Sequence, residues 1–545
     1  MRIGIGMGLG FGGQVLSSSA PWTPADLGAD LSLWLDAEDT ASITLNGSNV
    51  AQWDDKSGND RHVSQGSASA QPEFAATGLN SKPTLRFNSP TQGRHLLSSV
   101  NFPSMTGGVS AIVVAQVDTV DNWNGYVGVG ALVANTSNFE FYRQVGGNSG
   151  NLVISANRDQ PGGNLNFRFR NNVDTPPVQG SPHIATTVIS GATGLAGFMS
   201  VNGGGNLPLG GGTEHPTGTF IPQGTGIIRV GVGFFSGDIA ASAMRGRISE
   251  IVMSASPWAT TDRQRLEGYL AWKWGLVANL PGTHPYRYTP PTTDEPAWDA
   301  DALSYIGRVQ NADAQALELN VRIAIDNFVK GCKADGIWDA IKASAILAGA
   351  RTLEGALQPL VGSAPTNFNF ISGDYNRTTG LVGDGATKYL NSNRNNNADP
   401  QDSRHVSVFV TVGETRNATR CALASSDPLS GAGTTELLST PAARFFRINR
   451  SSSSFPVVTT ASIYGLLAAE RNNAANCSAR FNNNTQTLSD TSSAPTANQI
   501  DLYRRGTASY SDARFAFYSI GESLDLAQLD ARVTALINAY AAAIP

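Results

Sequence analysis

Cysteine is nearly missing from this chain: Cys332, Cys421 and Cys477 are the only three in 545 residues, all in the second half. An odd count without short spacings gives no disulfide framework and reads as small buried hydrophobes in a chain folded under reducing conditions. Charge is also scarce, at 15% of residues with a net of −5 and a pI near 5.7, which excludes a dedicated nucleic-acid or anionic-membrane surface. No window reaches about 18 unbroken apolar residues, so no membrane insertion is expected. The six histidines (His62, His95, His183, His215, His284, His405) show no H-x-H or H-x-x-x-H spacing for zinc, and no G-x-S-x-G elbow occurs.

Glycine is plentiful, with 58 residues among abundant Ser, Thr and Asn, and 41% of the chain is hydrophobic. That composition fits many strands joined by tight turns, in a chain too long for one core. The first 20 residues are a segment apart. Gly8-Leu-Gly10-Phe-Gly12-Gly13 satisfies the dinucleotide pattern G-x-G-x-x-G, but QVLSSSAPWTP follows where a helix is required, so a nucleotide site is rejected. Arg2, an apolar run and Ser17–Ala20 imitate an export signal, yet alternate glycines make a poor signal helix. The remaining reading is an alternating strand with Ile3, Ile5, Met7, Leu9 and Phe11 on one face, which a partner's sheet would cover. A self-packed tail is the bland alternative.

Residues 21–288 read as one β-domain. Leu31, Leu33 and Leu35 alternate, further strand patterns follow at Val109–Gln116, His183–Ile189 and Ile227–Gly233, and the region ends on a strand, a Ser-Pro turn and a helix. That helix carries Leu266, Tyr269, Leu270, Lys273 and Trp274 on one face, with Thr260 or Thr261 as its cap and Gly275 as its stop. Residues 289–300, TPPTTDEPAWDA, have the composition of a linker, and 301–336 those of a helical connector, either a spacer or an oligomerisation element. Residues 337–545 close in the same way as 21–288: a strand at Phe515–Ile520, then a helix with Leu526, Leu529, Val533, Leu536, Ile537 and Tyr540 on one face. Two copies of one architecture, mainly β, follow from this repetition.

Several motifs carry a resemblance. Trp22, Leu33-Trp34-Leu35-Asp36, Trp53-x-x-Lys56-Ser57-Gly58-Asn59, Pro83-x-Leu85-x-Phe87, Glu267-Gly-Tyr-Leu-Ala-Trp-Lys-Trp-Gly275 and Leu280-Pro-x-x-His284-Pro-Tyr286 together resemble a laminin-G-like, concanavalin A-like jelly roll of bacteriophage virion proteins and bacterial surface proteins. Asn327–Trp338, Ala348–Leu353 and Gly373–Leu381 resemble a module of phage structural and fibre-like proteins. The resemblance implies two tandem antiparallel β-sandwiches, each with a C-terminal helix.

Jelly rolls also host glycanases, which need two carboxyl groups roughly 5–10 Å apart. No E-x-D-x-x-E run occurs, and the adjacent pairs Glu38-Asp39 and Asp54-Asp55 would point to opposite faces of a strand, so no enzymatic activity is expected. No cofactor is expected either; calcium is the one ion for which a loop offers ligands, in Asp54, Asp55 and Asn59. Lectin-like sandwiches hold sugars in loops that join an aromatic face to amides and carboxylates, and Asp121-Asn122-Trp123-Asn124 has that composition. A loop tryptophan covering its own sandwich edge is the competing reading.

The resulting expectation is a non-enzymatic structural protein of a phage particle, a fibre-like or decorating appendage with host-surface glycans as ligands. It would be made in the host cytoplasm without a signal peptide and reside in the virion. Its partners would be other virion proteins, through the N-terminal segment, and further copies of itself, with a trimer as the expected state. A bacterial surface carbohydrate-binding adhesin is the alternative, and a glycan-degrading enzyme stands behind it.

Overall fold

The computed structural model describes residues 20–88, 93–119, 124–130, 137–143, 152–157, 166–170, 178–190, 197–205, 225–233, 243–414, 419–425, 431–440, 444–450, 457–458 and 464–544. The protein is mainly β, built from antiparallel sheets with helices laid on their outer faces. Among the described residues, one sixteen-stranded sheet contains every strand from Leu33 to Ser254 and curls so that its two halves face each other. Toward one end of its strand order lie β1 (Leu33–Asp36), β2 (Gly108–Val117), β3 (His183–Ser190) and β4 (Gly246–Ser254), with β4 pairing both β1 and β2, and β2 pairing β3. Strand β2 reads GVSAIVVAQV because both its faces are covered. Val109, Ala111, Val113, Ala115 and Val117 line the sandwich interior, while Ile112 and Val114 face a helix outside.

That helix, α1 (Thr260–Lys273), lays Leu266, Leu270 and Trp274 against Ile112, Val114, Ile184 and Val252. Neither threonine caps it. Ala259 holds the N-cap position without a side-chain bond, and Asp262 lies in the first turn instead. A cap contributes about 1 kcal/mol, whereas each large apolar side chain fully buried contributes about 1.5–3 kcal/mol, so packing holds the helix in place. Gly275, at φ 68°, ends it in the left-handed region.

A buried carboxylate fastens α1 to the sheet. Glu250 of β4 is fully buried and accepts hydrogen bonds from Trp34 Nε1 at 2.8 Å and Trp274 Nε1 at 2.6 Å. Lys273 Nζ lies 2.7 Å from Glu250 and 2.7 Å from Asp36, the cross-strand neighbour of Glu250. Lys56 completes the cluster, 2.9 Å from Asp36 and 4.3 Å above the Trp34 ring.

The stretch read as a linker is held at several points. Trp22 N donates to Pro291 O, and Thr293 N to Ala20 O. The Glu295 side chain is buried and accepts from Arg322 Nη1 at 2.8 Å, Tyr286 OH at 3.0 Å and Trp298 Nε1 at 3.2 Å, with Arg265 of α1 at 3.9 Å. Helices α2 (Ala300–Asp313) and α3 (Leu319–Ala334) are no bare spacer either, for they belong to the core that covers the next sheet.

That sheet has nine strands, including β5 (Ile341–Ile346), β6 (Arg404–Val412), β7 (Gly465–Arg471) and β8 (Arg514–Gly521). One face packs on α2, α3 and the last helix, α4 (Leu526–Ala543), with Phe328 and Phe517 meeting at 5.7 Å. Leu526, Leu529, Val533, Leu536, Ile537 and Tyr540 are all buried there, and the Asp525 side chain caps α4. The other face packs on a seven-stranded sheet through Val406, Val408, Phe515, Leu437, Phe446 and Leu502. The fold is thus two antiparallel sandwiches, each closed by a helix that follows its last long strand.

Glu295→Ala should leave the Arg322 guanidinium buried without its carboxylate, a loss of about 3–5 kcal/mol. Limited proteolysis should then cut near 289–300 in the variant while the native chain resists there. Identical digestion patterns would show that Glu295 does not anchor this segment.

Candidate functional site

The proposed anchor residues Ile3, Ile5, Met7, Leu9 and Phe11 lie outside the described residues, as do Asp121, Asn122 and Trp123. Asn124 is described. It is fully buried at the start of a strand, its Oδ1 accepting from Arg245 N at 2.7 Å and its Nδ2 donating to Thr119 O at 3.3 Å. Both ends of its amide are therefore committed to backbone. Of the calcium candidates, Asp55 is encircled by protein donors: Trp34 N and Ser57 N on Oδ1, Ser57 Oγ and Arg61 N on Oδ2. Asn59 donates to Leu31 O, and Asp54 accepts from Gln52 Nε2. Among the described residues no group of three His, Cys, Asp or Glu is placed to hold a metal ion.

Paired carboxylates do occur, though not where the sequence suggested. Burial pushes the Glu250 carboxyl up to about 7 against the pull of Lys273, and the Asp36 charge adds to the rise. Asp36 moves the other way: burial opposes its charge, but Lys273 and Lys56 outweigh it and hold the carboxyl below the usual range. Such a split is how an acid and a base divide their roles. Here Glu250 is 0% exposed and Asp36 4%, so both serve the lysines and indoles that enclose them. His405 and Ser519 are comparable: Nε2 and Oγ lie 2.9 Å apart, fully buried under the helices.

The open site is on the second sandwich. Strands Thr366–Phe368 and Tyr389–Asn395 pair so that Phe368 faces Tyr389 and Thr366 faces Asn391. The Phe368 and Tyr389 rings stack at 4.2 Å with 5° between their planes. Arg504 Cζ lies 3.3 Å from the Tyr389 centroid, a separation that places the guanidinium on the face opposite Phe368. Asp501, the cross-strand partner of Asn391, holds Arg504 Nε at 2.7 Å. The result is a three-layer stack in which Phe368 is 38% exposed. Its rim is polar: Asn391 Oδ1 accepts from Asn393 N, while the Asn391 NH2 and the Tyr389 hydroxyl bond to none of the described residues. Beyond the stack, Arg505 binds Glu436 at 2.8 Å, and burial raises the Glu436 carboxyl although Arg447 and Arg505 oppose it. A flat apolar ring with amide, hydroxyl and guanidinium groups at its margin suits a ligand with one C–H face and several hydroxyls.

Sequence reading missed this plate because Phe368 and Tyr389 belong to different strands. Residues 389–395 form a strand, and its register is what brings Tyr389 against Phe368. The aromatic residues flanking asparagines at Asn367-Phe368-Asn369-Phe370 were the available signal.

No protein-family model matches the chain, and no curated protein matches it. Among solved structures it is similar to a Trypanosoma rangeli sialidase in complex with sialic acid, at 12% identity and TM-score 0.28 over 47% of this chain and 36% of the sialidase. Domain 4 of AbnA, a GH43 extracellular arabinanase from Geobacillus stearothermophilus, in complex with arabinotriose, matches at 13% and 0.28, over 42% of this chain and 95% of that domain. Mouse laminin alpha1 domains LG4-5 match at 11% and 0.21, over 80% and 89%. The chain spans about a third of the length of the sialidase chains it matches. These scores transfer no activity and bear in no way on a phage origin. They do correct one expectation: two of these neighbours are named as enzymes, so the exclusion of catalysis from a missing motif is withdrawn.

The Glu250 carboxyl sets a pH signature. Because burial raises it from 4.5 to about 7, its contribution is complete below pH 4.5 and fades as pH rises to 7. His183 and His405, lowered by burial to about 4, slope the opposite way between 4 and 6.5. Thermal melts of native protein and Glu250→Gln should therefore diverge between pH 4.5 and 7, the native Tm losing ground relative to the variant as pH rises. Parallel curves would contradict the raised carboxyl.

Proposed function

We propose that this protein is a glycan-binding appendage of a bacteriophage particle, carrying two β-sandwiches and holding host-surface saccharides on the plate of Phe368, Tyr389 and Arg504. The observation that carries the reading is the exposed Phe368 face, backed by Tyr389 and a guanidinium and rimmed by Asn391. Backing matters because a ring fixed on one side meets its ligand with little ordering cost. Attachment to other virion proteins through residues 3–11 belongs to the same proposal and is supported by the alternation of Ile3, Ile5, Met7, Leu9 and Phe11 with glycine.

Phe368→Ala removes the exposed ring and the stack beneath it, a loss of about 0.5–1.5 kcal/mol of stability. Against an array of bacterial surface oligosaccharides the full native chain should bind a defined subset, and the variant should lose that binding while still melting cooperatively. Unchanged binding by the variant would move the site elsewhere. Assaying reducing-sugar release from the bound oligosaccharides by the native chain reports any accompanying hydrolysis.

A further inference from the structure

The nine-stranded sheet of the second sandwich ends on one side at Pro359–Val361 and on the other at Asn484–Ser489. Sheet edges invite further strands, and proteins blunt them with short length, proline, bulges, charge or a covering segment. The first edge uses such devices. It is three residues long, begins with a residue lacking an N–H, and has Arg308 Nη2 donating to Pro359 O at 3.1 Å. The second edge, NTQTLS, has no proline, no charge and no break in its register with Asn476–Phe481. Asn484, Thr485, Thr487 and Ser489 are exposed.

Hairpin geometry says which backbone groups point outward. Asn482 and Asn483, at φ 47° and 59°, form a two-residue turn with both central residues left-handed. The flanking pair Phe481 and Asn484 then exchanges hydrogen bonds, and bonded pairs alternate from there. Asn484, Gln486 and Leu488 consequently bond inward, while the N–H and C=O groups of Thr485, Thr487 and Ser489 face away from the sheet.

We propose that Asn484–Ser489 pairs antiparallel with the same strand of a second copy of this chain, making one continuous sheet across a two-fold axis. The strand is self-complementary about Thr487. That register sets Thr487 opposite Thr487 and Thr485 opposite Ser489, hydroxyl pairs that favour strand pairing, and it opposes no like charges. A two-fold contact of one patch with itself also closes, so association stops at two. This surface is independent of the glycan plate.

Sedimentation velocity of the full chain over a dilution series should show a monomer–dimer equilibrium. Thr487→Pro deletes an outward N–H without touching the bonds to Asn476–Phe481, and Thr487→Lys sets two like charges opposite each other across the axis. Each should raise the dimer dissociation constant by about tenfold or more while circular-dichroism melting stays cooperative. If the proline variant fails to fold, the lysine variant decides. A native chain that stays monomeric, a trimer, or a dimer indifferent to the lysine variant overturns the proposal.

Discussion

A carboxylate without access to water must be met by donors or the structure that buries it fails, at a cost of several kcal/mol. Glu250 imposes that condition on the first sandwich. Its donors come from two places far apart in sequence: Trp34 near the start of the sheet, and Lys273 and Trp274 at the end of α1. Satisfying one side chain therefore fixes the helix on the sheet and orients the first strand against the last. The same device recurs nearby. Glu267 of α1 is buried among Arg263 at 2.8 Å, Ser200 at 3.0 Å and His284 at 3.4 Å. Glu295 then gathers Arg265, Tyr286, Trp298 and Arg322. Three buried glutamates in succession tie the first sandwich, its closing helix and the helices of the second into a connected frame.

That frame explains why the most recognisable residues of the first sandwich face inward. Trp34, Asp36, Lys56, Lys273 and Trp274 are bound to one another, and their chemistry is spent inside the molecule. On the second sandwich Phe368 presents an exposed ring that the scaffold supports from behind. A scaffold held by ionic nodes with a shallow aromatic surface suits the display of a recognition face away from a point of attachment.

Much of the architecture was legible in the sequence. The near-continuous apolar run of β2 and the helical spacing of Leu266, Leu270 and Trp274 follow directly from which faces are buried. The closing helix of the second sandwich was equally plain from Leu526 to Tyr540. Other features were hidden for physical reasons. Composition made 289–300 look like a linker because proline and threonine dominate it, yet one glutamate, Glu295, decides its state through residues on two helices. The α1 cap was misplaced because tertiary packing, not the threonine hydroxyls, sets where the helix begins. The plate was illegible because Phe368 and Tyr389 become neighbours through cross-strand register, which no local pattern encodes. For the same reason the pairing of Asp36 with Glu250 could not be read from adjacent acidic residues.

The most direct test of the account is hydrogen–deuterium exchange of the full chain, with and without the oligosaccharide that binds it best on the array. Amide exchange should slow at 366–368, 389–391 and 504–505, the three segments that build the plate, and stay unchanged in the first sandwich. Slowing confined to the first sandwich around 124–130, or no slowing anywhere at saturating oligosaccharide, would contradict it.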